Sequence, residues 1–284
     1  VTIKADDGYA LTAALYGGAG GGPVTVIAPA TGVPQRYYAR FAQYLASAGR
    51  PVLTLDYRGQ GKSAPASLRG FEARFRDWGI LDLPGVIDWA AATYPDRKLH
   101  WVGHSYGGFG LGLARNNARV DRLLGISSMA AWLGHLPLGQ RMKTVPAFRV
   151  AAQAANLIGY LPAGIIGTEP LPKEVMREWV RFCTTKGFLF ALDDLPEKRH
   201  FASLTAAVRL AFAEDDTWMA RAGVEHLLRE FAHARDGSIW QISRSEAAGR
   251  AVGHVGFFRT DHHHTLWPTA LAWLDGASTE RSST

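Results

Sequence analysis

The sequence predicts an α/β fold in which a mostly parallel central sheet carries helices on both faces and a helical cap is inserted late in the chain. Three observations point there. Short apolar runs alternate with helix-spaced stretches of ten or more residues, the length that crossovers between parallel strands require. One such run, Leu99-His100-Trp101-Val102, leads straight into the turn Gly103-His104-Ser105-Tyr106-Gly107 and then a helix-compatible segment. From Met129 to about His200 the alternation stops, in a stretch rich in Pro, Gly and large apolar groups with no convincing strand. The expected division is a core of residues 1–128 and 201–276, a helical cap of 129–200 and a disordered tail of 277–284.

Taken in order, Val1 to Tyr16 alternates apolar and polar residues about Asp6-Asp7-Gly8, as a hairpin does. Gly17 to Gly22 is a flexible loop that carries Gly-x-Gly-x-x-Gly in no register, which removes a dinucleotide site. Val24-Thr25-Val26-Ile27-Ala28 has the unbroken apolar character of a strand buried on both faces, and belongs at the sheet centre. A helix from about Arg36 to Ala48 aligns Phe41, Leu45 and Ala48 and ends at Gly49. Pro51 to Asp56 is the next strand, and Tyr57-Arg58-Gly59-Gln60-Gly61-Lys62-Ser63 is the loop at its end. Gly61-Lys62-Ser63 imitates the close of a phosphate-binding loop, but the first glycine of that motif would have to sit at Asp56.

A helix from about Trp78 to Tyr94 turns Leu81, Val86, Ile87 and Ala90 to the core, and Pro84 implies a kink or a late start. Lys98 to Val102 and Val120 to Ser127 are strands, and the cap holds helical segments around Ala147 to Leu157 and Lys173 to Cys183. The sheet resumes at Ala207 to Ala213, followed by a helix from Ala222 to Phe231 and a strand from Ser238 to Ser243.

The turn at Ser105 has the form of a nucleophile elbow, which strains the serine backbone and lifts its hydroxyl above a sheet edge. Gly103 and Gly107 leave room for strand and helix to approach closely. A serine hydroxyl is a poor nucleophile alone: it needs a neutral imidazole to take its proton and a carboxylate to orient that imidazole. His254, in the loop after the last strand, is the expected base, because the loops that follow successive parallel strands meet at one edge of the sheet. Asp215 and Asp216 compete for the acid, since adjacent side chains of an extended loop cannot both face the histidine; Asp216 is favoured, and Asp194 in the cap is a distant third.

With these residues the chain resembles the alpha/beta-hydrolase superfamily over nearly its whole length, in the order Ser105, Asp216, His254. It is similar to the cap-bearing members that resemble lysophospholipases and serine-aminopeptidase-like hydrolases. Residues 56–63 resemble the family's Asp-x-Arg-Gly-x-Gly-x-Ser loop, and Glu214-Asp215-Asp216 its acid loop, a second reason to choose Asp216. Many members carry His-Gly after the strand that here ends at Ala28, whereas this chain has Pro29-Ala30-Thr31-Gly32-Val33. The resemblance implies an oxyanion hole of two backbone N–H groups, one from Tyr106 and one from this loop. Register assigns the second to Thr31, with Ala30 as fallback because Pro29 has no N–H.

The expected activity is cleavage of an ester or thioester through an acyl-enzyme. Acyl transfer or peptide cleavage by the same triad, and a ligand-binding protein on the same fold, are the alternatives. The apolar cap leans toward acyl or aromatic esters as substrates. No cofactor is implied. The formal charge of +6 comes without runs of basic residues interleaved with aromatics, which argues against a nucleic-acid partner. Apolar runs far shorter than a bilayer span argue against membrane insertion, and the sequence leaves the oligomeric state open. The single cysteine, Cys183, forms no internal disulfide and fits a cytoplasmic location, although the chain starts at Val1 and a leader could have preceded it. His262-His263-His264 reads as surface rather than a metal site, because consecutive residues of a helix point to different faces.

Overall fold

A computed structural model describes residues 1–18 and 20–277, so the expected disordered tail lies outside the described residues apart from Ala277. In chain order the strands are β1 (Thr2–Lys4), β2 (Ala10–Tyr16), β3 (Val24–Ala28), β4 (Val52–Leu55), β5 (Leu99–His104), β6 (Val120–Ile126), β7 (Tyr160–Leu161), β8 (Leu171–Pro172), β9 (Ala207–Ala213) and β10 (Asp236–Ile242). Eight of them form one sheet in the order β1-β2-β4-β3-β5-β6-β9-β10, and β7 pairs only with β8. The opening hairpin makes β1 and β2 antiparallel, β2 runs antiparallel to β4, and every later pair in the large sheet is parallel.

The helices are α1 (Ala39–Ser47), α2 (Phe75–Asp77), α3 (Leu83–Thr93), α4 (Tyr106–Phe109), α5 (Leu138–Ile158), α6 (Lys173–Thr184), α7 (Arg221–Glu230) and α8 (Leu266–Leu274). The central strands are buried on both faces, which is why they read as unbroken apolar runs. Val26, Trp101, Leu123 and Leu210 enter a core shared with Val86, Ile87 and Ala90 of α3. Their neighbours Ile27, Val102, Leu124 and Ala211 enter a second core, closed by Phe41 and Leu45 of α1 and Trp267 and Leu274 of α8.

The structure departs from expectation at four places. The helix expected from Trp78 starts at Phe75 and passes through a π-turn at Trp78–Asp82 before α3, whose first turn takes Pro84 where its missing N–H costs nothing. After Ser105 the helix is short: α4 gives way to a 3₁₀ turn at Gly110–Leu113, in a segment with glycine at 107, 108, 110 and 112 that favours no long helix. The helix expected from Ala147 begins at Leu138 and runs through Pro146. The small β7–β8 hairpin lies where no strand was expected.

The segment between β6 and β9 packs α5 on α6, with the Phe148 ring against Trp179 at 5.1 Å. It is pinned to the rest of the molecule by buried Arg76 of α2, whose backbone N–H and guanidinium both donate to the Glu178 carboxylate of α6, while the guanidinium also reaches Asp194. The loop at the end of β4 acts as a structural clasp. Arg58 donates to buried Asp82 at 2.7 Å and to Asp7, and Asp56 accepts from the backbone N–H groups of Gln35 and Lys62.

Candidate active site

Ser105, Asp216 and His254 follow β5, β9 and β10, so all three stand at the carboxyl edge of the sheet, as does the turn after β3. Ser105 takes φ 51° and ψ −109°, a conformation that a side-chain-bearing residue reaches only under strain. Glycines make this possible, with divided tasks. A Cβ at Gly103 would collide with the Gly107 and Gly108 backbone, so this glycine lets helix and strand meet; a Cβ at Gly107 would collide with Ala28, so that one lets α4 pass the neighbouring strand. The Ser128 hydroxyl donates to the Ser105 carbonyl at 2.8 Å and steadies the turn.

Asp216 Oδ2 lies 2.8 Å from His254 Nδ1, and its other oxygen accepts the Trp218 N–H at 2.9 Å. With its Nδ1 proton directed to the carboxylate, His254 presents the lone pair of Nε2 to Ser105 Oγ at 3.2 Å. Asp215 does not touch the imidazole. Its two oxygens accept the backbone N–H groups of Val252 and Gly253 at 3.0 and 2.8 Å and so hold the loop that carries His254. Asp194 is not part of the site: hydrogen bonds from Arg181 and Arg76 engage it and hold its carboxyl well below the usual range.

The turn after β3 separates the two oxyanion candidates. The Ala30 N–H donates to the Tyr38 hydroxyl at 2.9 Å and is therefore occupied. Among the described residues the N–H groups of Thr31 and Tyr106 meet no acceptor. Gly32, at φ +73°, offers its carbonyl to Thr168 and Glu169, which clamps the turn from the segment between β7 and β8.

Tyr38 continues into a chain that sequence reasoning missed. Its hydroxyl is 2.7 Å from His104 Nδ1, and His104 Nε2 is 2.8 Å from the backbone carbonyl of His254. A carbonyl can only accept, so His104 carries its proton on Nε2 and Nδ1 accepts from Tyr38. The hydrogen-bond directions then run without conflict from the Ala30 N–H to the His254 carbonyl. Burial holds the His104 pKa down to about 3, with the nearby His254 adding to the effect, which keeps the ring neutral. Tyr37, the neighbour of Tyr38, donates to the Val255 carbonyl at 2.8 Å. Neither tyrosine carries a sequence signal for this task, because their partners lie more than 200 residues away or depend on the fold. Of the histidine run, His262 is buried, which corrects its reading as surface. Among the described residues no group of three metal-ligating side chains is placed to hold an ion.

Ser105, Thr31 and His254 line a cavity of about 750 Å³, whose wall is otherwise mostly apolar and includes Phe75, Met129, Leu133, Phe148, Trp179 and Trp218. Cys183 also contributes, and burial pushes its thiol well above the usual range.

A family model described as the alpha/beta hydrolase fold matches residues 15–154. No curated protein matches the sequence. Among solved structures, a soluble variant of monoglyceride lipase from Saccharomyces cerevisiae, bound to a substrate analogue, is 15% identical, with 98% of this chain and 95% of that one covered at a TM-score of 0.67. The monoacylglycerol lipase of Paleococcus ferrophilus is 16% identical over 94% of this chain and 99% of its own, with a TM-score of 0.59. A bromoperoxidase from Bacillus anthracis is 12% identical over 97% and 100%, with a TM-score of 0.62. At these identities the likeness is one of fold, and the different activities named for these proteins show that the fold does not fix the chemistry. From the family match and the strand order together, the chain has the alpha/beta-hydrolase fold.

Proposed function

We propose that the protein hydrolyses carboxylic esters or thioesters through an acyl-enzyme on Ser105. The observation that carries this reading is the file from Asp216 through His254 to Ser105, with gaps of 2.8 and 3.2 Å, opening on an apolar cavity. Ser105 Oγ attacks the carbonyl carbon while His254 Nε2 takes the hydroxyl proton. The oxyanion accepts from the N–H groups of Tyr106 and Thr31. The imidazolium, stabilised by ionised Asp216, passes its proton to the leaving alcohol or thiol. A water deprotonated by His254 then attacks the acyl carbon, and the acid leaves as Ser105 regains its proton.

In this reading residues 129–200 act as a cap, since Leu133, Phe148 and Trp179 of that segment contribute to the cavity wall. A cavity of about 750 Å³ with mostly apolar walls suits acyl or aromatic esters of moderate size. The monoglyceride lipases among the structural relatives support an ester as the substrate class. The test is turnover of p-nitrophenyl esters of short and medium chain by the wild type and by Ser105→Ala, with intact-protein mass spectrometry. Activity lost in the variant and an acyl adduct on Ser105 are the expected results; equal inertness of both proteins without an adduct overturns the reading.

A further inference from the structure

Large apolar side chains at the surface are not scattered over this molecule. Among the described residues eight are exposed, and four of them, Leu138, Met142, Val150 and Leu157, belong to α5, at 68% to 86% exposure. Their spacing of four, then eight, then seven residues puts them on one side of the helix, away from the side on which Phe148, Ala151 and Ala155 are buried. Two more of the eight, Ile165 and Trp218, lie at the same cavity: Trp218 is in its wall, and Ile165 stands between wall residues Gly164 and Ile166.

The charge on this helix has one sign. The helix carries Arg141, Lys143 and Arg149 and no acid, and no Asp or Glu occurs between Asp121 and Glu169. All three cations are exposed. The same helix contributes Gln140, Lys143, Thr144 and Phe148 to the cavity, so Lys143 borders both the cavity and the outer stripe.

We propose that the outer side of α5 is a peripheral docking surface for anionic lipid, with Leu138, Met142, Val150 and Leu157 entering the headgroup boundary and Arg141 and Arg149 contacting lipid phosphates. An apolar stripe on a helix whose charged residues are all cations fits a negatively charged, apolar-cored surface, whereas a second copy of this helix would bring like charges together. No helix among the described residues is long and apolar enough to cross a membrane, so contact is from one side. The inference stands apart from the hydrolytic reading, because binding is measured without turnover.

The experiment is co-sedimentation of the full chain with vesicles of phosphatidylcholine alone or mixed with phosphatidylglycerol. Binding to the mixed vesicles that weakens with added salt is expected. Met142→Ser with Leu157→Ser should lower the affinity by roughly tenfold or more. Arg141→Gln with Arg149→Gln should cost about fivefold per charge and remove the preference for the anionic lipid. Both pairs are solvent-facing, and an unchanged circular dichroism melt confirms that each variant folds. Wild type that sediments with neither vesicle, or the serine pair sedimenting like wild type, overturns the proposal. A concentration-dependent dimer abolished by the serine pair, without vesicle binding, assigns the stripe to a second copy of the chain instead.

Discussion

Adjacent aspartates with different partners make the sharpest case at the residue scale. Asp216 meets the imidazole while Asp215 grips the backbone of the loop behind it. Asp216→Asn is expected to lower kcat by about 10³- to 10⁴-fold on a p-nitrophenyl ester, because the amide supports the wrong tautomer of His254. Asp215→Asn should cost about 1–3 kcal/mol of stability through its lost charge-assisted hydrogen bonds, with a much smaller fall in kcat; denaturant midpoints and steady-state kinetics on both variants separate the two roles. Tyr38 offers a second test. Tyr38→Phe leaves the Ala30 N–H and His104 Nδ1 unpaired, so the Thr31 turn and the His254 carbonyl lose their common anchor. Its expected signature is a fall in kcat of roughly tenfold with KM nearly unchanged, since these groups position the reacting atoms rather than hold the ground-state substrate.

Among the elements, those with a local cause were legible and those held by distant partners were not. The run Val24–Ala28 announced a central strand because burial on both faces leaves no polar position, and Gly103-His104-Ser105-Tyr106-Gly107 announced its turn because only glycine fits there. The start of α5 was hidden by Pro146, which the helix tolerates, and α8 was not foreseen although its apolar residues seal one side of the sheet. The contact of Asp216 with His254 could be anticipated from the order of the loops, but the clamp by Asp215 and the Tyr38–His104 chain required knowing which loops meet. The bond between α2 and α6 is likewise invisible in the sequence: Arg76 and Glu178 are 102 residues apart. Arg76→Ala strands the Glu178 carboxylate in a site where it is only 9% exposed, so a loss of about 3–5 kcal/mol in a urea melt is expected. Arg181→Ala, at an exposed pair with Asp194, should cost no more than about 1 kcal/mol.

Across the whole molecule, acid is the condition that should unfold it. Burial lowers the pKa of His100 to about 4 and that of His104 to about 3, against 6.5 for an open histidine. Both are therefore neutral when folded and take up protons when unfolded. Their contribution to stability is complete above pH 6.5 and is lost as the pH falls from 6.5 toward 4 and 3. The measurement is Tm against pH by calorimetry, with a slope in that window approaching two protons from these groups. His104→Gln keeps a donor for the His254 carbonyl and should remove about one of them.

The distance in sequence between the two sides of the Ser105–His254 contact, 149 residues, bears on how the protein is made. In a chain emerging from the ribosome, Ser105 and its turn are synthesised before the segment that carries Asp216 and His254. On the proposed mechanism that serine is an ordinary alcohol until β10 docks and its loop is caught by Asp215, Tyr37 and His104. On the proposed mechanism, reactivity is thus acquired late in synthesis, and a truncated product ending before residue 254 is expected to be inert toward p-nitrophenyl esters.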